Sequence, residues 1–90
     1  NTIELSRRAG KDIERLSRTD RRRVREAFDA LASGVGNLDI KMLVGCNPWL
    51  RLRVGELRIL YRSIPDGRLL IGRVVNRRDL ERAVRSLGVA

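Results

Sequence analysis

The stretch Trp49-Leu50-Arg51-Leu52-Arg53-Val54-Gly55-Glu56-Leu57-Arg58-Ile59-Leu60-Tyr61-Arg62 decides how this chain folds. Apolar and basic residues alternate with a period of two on both sides of Gly55-Glu56. That pattern predicts two half-buried strands joined by a tight turn. With Gly55-Glu56 as a two-residue loop, Val54 falls opposite Leu57, Arg53 opposite Arg58, Leu52 opposite Ile59, Arg51 opposite Leu60 and Trp49 opposite Arg62. One face is then apolar throughout: Leu50, Leu52, Val54, Leu57, Ile59 and Tyr61. The other gathers Arg51, Arg53, Arg58, Arg62 and Trp49. Like charges directly opposite each other destabilise a ladder by about 0.2–1 kcal/mol a pair. A chain that keeps such a pair is expected to use it, and the planar guanidinium fork fits phosphate oxygens. The plainer alternative is a solvated outer face, charged for solubility.

Outward from the hairpin, the rest of the chain supplies the covering layer. Ile3 and Leu5 share one face of a short segment, Thr2 to Leu5, that reads as an edge strand. Ser6 is a candidate N-cap for a helix with Ala9, Ile13 and Leu16 on one side. Asp20 is a candidate N-cap for a second helix, where Val24, Ala27, Phe28 and Leu31 follow at i, i+3, i+4 and i+7. The run Arg21-Arg22-Arg23-Arg25 lies mostly off that stripe and reads as a solvated face. Val35 to Pro48, with Gly36, Asn37, Gly45 and Pro48, reads as a loop. After the hairpin, Pro65-Asp66-Gly67 makes a turn and Arg68 to Val75 a further strand, interrupted by Gly72. Asn76 is placed to cap a last helix carrying Leu80, Ala83, Val84 and Leu87, with Gly88 at its end. The expected order is β-α-α-β-β-β-α: an α+β domain spanning residues 1–90.

Charge narrows the partners. Twenty basic residues against 11 acidic give +9, with 18 of the 20 being arginine, and a pI near 11.5. Such a surface fits a nucleic acid or an acidic protein segment, although a GC-rich coding bias also enriches arginine. Phe28, Trp49 and Tyr61 are the only aromatics, too few for a stacking platform that takes several bases. Histidine is absent and Cys46 is alone. Zinc sites of the His/Cys kind and imidazole-based nucleophilic mechanisms are therefore excluded. No metal or other cofactor is expected. The single cysteine and the lack of an apolar leader or long apolar run lead us to expect a cytoplasmic protein without membrane contact. Arg77 and Arg78 stand where the last helix begins, against the preference of the macrodipole for anions, a conflict that a bound phosphate relieves.

Lys41-Met42-Leu43-Val44-Gly45, followed by the Leu50 to Tyr61 hairpin, resembles the RelE/ParE toxin superfamily, whose core reads R-L-R-V-G-x-x-R. The tail Val74-Val75-Asn76-Arg77-Arg78-Asp79-Leu80 and the two opening helices are similar to the same family. The resemblance implies a microbial RNase-type fold, an antiparallel sheet carrying two N-terminal helices on one face and a short C-terminal helix. It implies a toxin of a type II toxin–antitoxin system that cuts messenger RNA on the ribosome without a metal. The cognate antitoxin and the ribosome, including 16S rRNA, are the partners it implies. By position, Arg58 looks like the clamp on the scissile phosphate and Arg77 the second clamp. Arg51 looks like a basic residue of the active strand and Arg53 its neighbour. Arg62, Arg78, Lys41 and Trp49 are the further RNA-binding candidates. The family often has His where this chain has Asn76 and Tyr near Glu81, which leaves Glu81 as the candidate for proton transfer, with Lys41 behind it. A ParE-like toxin that inhibits DNA gyrase by binding, or a degenerate RNA-binding module, are the alternatives on the same fold.

Overall fold

The computed structural model describes residues 1–87; Gly88, the expected end of the last helix, lies outside them. The elements are β1 (Thr2–Leu5), α1 (Arg7–Glu14), α2 (Arg18–Ser33), β2 (Asp39–Met42), β3 (Leu50–Val54), β4 (Leu57–Ile64) and β5 (Arg68–Asn76). A 3-10 turn (Arg77–Asp79) then leads into α3 (Leu80–Arg85). The five strands form one sheet in the order β1-β5-β4-β3-β2. All neighbours are antiparallel except β1, which runs parallel to β5. The sheet is therefore mixed, where a wholly antiparallel one was expected.

The β3–β4 hairpin has the register its alternation requires, from Val54 opposite Leu57 to Leu50 opposite Tyr61. Of the two turn residues only Gly55 has positive φ, at 58°, as a type II′ turn with glycine first demands. Strand β2 is the element missing from the expected order. It lies within the segment read as a loop, and all four of its residues are exposed. An edge strand with no buried face shows no contrast between its polar and apolar positions, so its alternation is silent.

Two apolar layers cover the sheet. On one face, Ala9 of α1 and Val24, Ala27 and Leu31 of α2 meet Leu52, Leu57, Ile59, Tyr61, Ile71 and Val74. On the other, α3 brings Ala83, with Leu80 and Val84, onto Leu60 and Val75. The arginine face is thus half roofed. Ser6 caps α1 as expected, accepting from Ala9 N at 3.0 Å, and donates to Gly72 O at 2.8 Å. The second helix starts earlier than expected: Ser17, not Asp20, is its cap, accepting from Asp20 N at 3.1 Å. Gly72 marks a register shift in β5, between Leu60 opposite Arg73 and Tyr61 opposite Ile71. A Cβ on Gly72 would lie 2.6 Å from the Trp49 ring.

One ion pair ties these layers together. Asp12 of α1 accepts from Arg73 Nε at 2.8 Å and Nη2 at 3.1 Å, and from the backbone N of Val74 at 3.0 Å. It thereby pairs an amide of β5 that lies beyond the last residue paired with β1. Arg73 Nη1 also donates to Ser86 Oγ, just past α3, at 2.6 Å. Its pKa is raised, chiefly by the hydrogen bond to Asp12, against an opposing effect of burial. Both side chains are nearly buried, 15% and 12% exposed, so removing one partner strands the other. Asp12→Ala is expected to cost about 3 kcal/mol in urea unfolding, and adding Arg73→Met to restore most of it. A loss below ~1 kcal/mol for Asp12→Ala alone would show a pair of the weak surface kind.

Candidate nucleic-acid interface

Arg53 and Arg58 stand directly opposite each other on β3 and β4. The neighbours of Arg58, Leu57 and Ile59, are 5% and 0% exposed on the helix-covered face, so the Arg58 side chain is confined to the other. There its Nη1 donates to the carbonyls of Gly55 and Leu57, both at 2.9 Å. Partial burial lowers the pKa of Arg58, and the charges of Arg53, Arg51 and Arg77 add to this while Glu56 opposes. Such a cluster favours an anion among the guanidiniums.

Arg77 joins the same corner. Strand β5 lies beside β4, with Val75 opposite Arg58, and Arg77 follows at the strand end. Its backbone N donates to Glu56 O at 2.8 Å, and its Nε lies 3.2 Å from Glu56 Oε1. Arg51 is 14% exposed and lies 3.6 Å from Asp39. Asp39 also lies 4.0 Å from Arg53. Arg51 Nη1 and Arg62 Nε are buried and have no hydrogen-bond partner among the described residues. The structure therefore brings Arg51, Arg53, Arg58 and Arg77 together, as expected.

The remaining candidates are dispersed. Trp49 shares the hairpin face but is only 9% exposed. Its ring lies against Gly72, and the Arg62 guanidinium sits 5.9 Å from its centroid. Trp49 is thus a packed side chain with little of its surface exposed. Lys41 is exposed on β2, opposite Arg51. Arg78 is exposed in the 3-10 turn, with its N bonded to Asn76 Oδ1 at 3.1 Å. Glu81 is exposed in the first turn of α3 and makes no ion pair among the described residues.

Three residues of the site were not read from the sequence. Asp39 reaches the arginines only through the unrecognised strand β2. Glu56 was read only as a turn residue; it meets Arg77 because β5 pairs with β4 and Arg77 follows β5. Arg23 of α2 approaches the hairpin tip, with Nη1 3.5 Å from the position a Gly55 Cβ would take; no local signal foretells it.

Residues 3–81 match the family described as ParE toxin of type II toxin-antitoxin system, parDE. This chain belongs to that family. It is a toxin of the RelE/ParE kind. Over 80 residues it is 29% identical to a Methanocaldococcus jannaschii protein described as toxin RelE1, covering 86% of this chain and 89% of that one. Its fold is that of a chain in the RelB–RelE antitoxin–toxin complex of Methanococcus jannaschii, with TM-score 0.70, 23% identity, and coverage of 87% and 94%. A chain of the Mycobacterium tuberculosis RelBE2 toxin–antitoxin complex matches with TM-score 0.69, 22% identity, and coverage of 84% and 96%. No helix among the described residues of this RelE/ParE toxin is long and apolar enough to cross a membrane.

Arg58 both strains and braces the hairpin. Removing it relieves repulsion of about 0.2–1 kcal/mol from Arg53 and loses two hydrogen bonds worth about 0.5–1.5 kcal/mol each. Arg58→Ala is accordingly expected to lower Tm by ~6–11 °C in a melting curve, from a net loss of about 1.4 kcal/mol. A fall of ~15 °C or more would make Arg58 a structural residue instead.

Proposed function

We propose that this toxin is a metal-independent endoribonuclease that cuts messenger RNA on the ribosome. The observation that carries the reading is the convergence of Arg51, Arg53, Arg58 and Arg77 on one corner of the sheet. In the proposed reaction the ribose 2′-OH attacks its own 3′-phosphorus and the bond from phosphorus to the 5′-oxygen breaks. A 2′,3′-cyclic phosphate and a 5′-OH result. The 2′-OH proton passes to a base and the leaving oxygen takes one up. Arg58 and Arg77 hold the non-bridging oxygens as negative charge grows on them, and Arg51 and Arg53 add charge behind them. Proton transfer is assigned to Glu81 and water. Arg62, Arg78 and Lys41 serve as phosphate contacts to messenger or ribosomal RNA.

The proposed inhibitor is a cognate antitoxin whose extended acidic segment pairs with these arginines while apolar anchors seat beside them. Support comes from the two solved complexes named above, each of a toxin with an antitoxin. The cytoplasm is the proposed location. A second reading, ParE-like inhibition of DNA gyrase by binding, draws on a specific observation. Asp39 and Glu56 already neutralise part of Arg51, Arg53 and Arg77.

Ribosomes programmed with messenger RNA separate the two. Arg58→Ala is expected to lower the cleavage rate by ~10²–10³, or about 3–4 kcal/mol, the usual loss for one preorganised donor. Arg58→Lys should recover part of it, because an ammonium lacks the two-pronged donor. Arrest of gyrase supercoiling by the wild type, with no cut in the message, would overturn the nuclease in favour of the second reading.

A further inference from the structure

A second concentration of arginine lies on the helical layer, across the sheet from the Arg58 face. Arg18, Arg21, Arg22 and Arg25, on the first two turns of α2, line one open cleft and are the only described residues that do. They stand at i, i+3, i+4 and i+7, so each has like-charged neighbours one turn away, a destabilising spacing. They also crowd the helix end that the macrodipole makes positive. No ion pair joins any of them to an acid among the described residues. Arg21 has a local use, since its Nε donates to Leu16 O at 3.1 Å and closes the end of α1. Arg18, Arg22 and Arg25 make no side-chain hydrogen bond among the described residues. Folding does not require them, because Val24, Ala27 and Leu31 provide the buried side of α2.

The neighbouring helix repeats the arrangement. Arg7, Arg8, Lys11 and Arg15 line another cleft along α1, a helix with no acid in its first turn. The one carboxylate in that cleft, Asp12, is already committed to Arg73. On the other flank of α2, Arg23 reaches the β3–β4 turn, the corner where Arg53 and Arg58 stand. Basic side chains therefore continue from the sheet face, past the turn, onto the helices.

We infer that the α1–α2 face is a second phosphate-binding surface, which holds nucleic-acid backbone outside the segment gripped at Arg58. The inference rests on the nucleic-acid reading above and adds a second place of contact to it. The composition of the α2 cleft selects the ligand. Arginines alone line it, so it offers no seat for the apolar anchors that a docked protein segment uses. A sugar–phosphate backbone needs only positive charge at intervals.

Two RNA probes, both made uncleavable by 2′-O-methylation, separate the surfaces: a tetranucleotide that fills the Arg58 corner, and a hairpin of about 30 nucleotides that extends beyond it. The variant is Arg18→Gln with Arg22→Gln and Arg25→Gln. On the hairpin RNA, the slope of log affinity against log salt is expected to shrink by roughly 2–3, three phosphate contacts at ~0.7–0.9 each. Tetranucleotide affinity is expected to stay unchanged, and the melting temperature to rise as like charges are removed. An unchanged slope on the hairpin RNA overturns the inference. So does equal weakening of the tetranucleotide, which makes the two surfaces one, and so does a fall in melting temperature, which makes the row structural. A polyglutamate peptide that loses binding to the variant while hairpin RNA does not would assign the surface to an acidic protein and overturn it as well. Failure of the nuclease reading shows separately, as Arg58→Ala having no effect on cleavage or on the tetranucleotide.

Discussion

Two guanidiniums held face to face set the terms for this molecule. Arg53 and Arg58 oppose each other across the β3–β4 ladder, and neither can slide away. A shift of one residue in either strand would turn its arginines into the core beneath α1 and α2 and its residues of that core out of it. Leu52 and Ile59, both 0% exposed, forbid that. The positive φ of Gly55 fixes the loop at two residues. The repulsion is therefore locked into the register, and the surroundings answer it. Arg58 leans back onto the carbonyls of Gly55 and Leu57. Asp39 comes alongside Arg51 and Arg53 from β2, and Glu56 takes Arg77. What these carboxylates leave unsatisfied is a corner suited to a phosphate, with Arg51 Nη1 still a buried free donor among the described residues.

The hairpin and its arginine corner were legible because burial and charge fall on alternate residues of one short stretch. A period of two is visible only where one face is wet and the other dry. Strand β2 fails that condition: Asp39-Ile40-Lys41-Met42 is exposed throughout, and so the strand, and Asp39 with it, stayed hidden. The packing of Trp49 was hidden for the opposite reason. Alternation placed it correctly on the arginine face, but the closeness of its ring to Gly72 arises between β3 and β5. The two are 23 residues apart in the chain, beyond any local pattern. The start of α2 was displaced by a simpler competition, since Ser17 and Asp20 are both good caps and only the bond from Asp20 N to Ser17 Oγ decides between them.

The shape of the corner depends on a support some distance from it. Helix α3 has six residues, too short to persist by itself, and it borders the half-roofed arginine face. Its apolar side rests on Leu60 and Val75, while Arg73 ties Ser86 back to Asp12 on α1. The strand that carries Arg73 also delivers Arg77 to the turn, four residues later. One strand thus braces the roof and places Arg77 beside Glu56, which links the stability of the layers to the placement of charge at the corner.

The central claim is that Arg53 and Arg58 repel each other in the free toxin and are reconciled by a phosphate. A double-mutant cycle measures this most directly, with Arg53→Ala, Arg58→Ala and the pair unfolded in urea, first alone and then with an uncleavable tetranucleotide. Alone, the coupling is predicted to be unfavourable by about 0.2–1 kcal/mol. With the RNA bound its sign is predicted to reverse, because both guanidiniums then share one anion. Additivity within ~0.3 kcal/mol in both conditions would contradict the account.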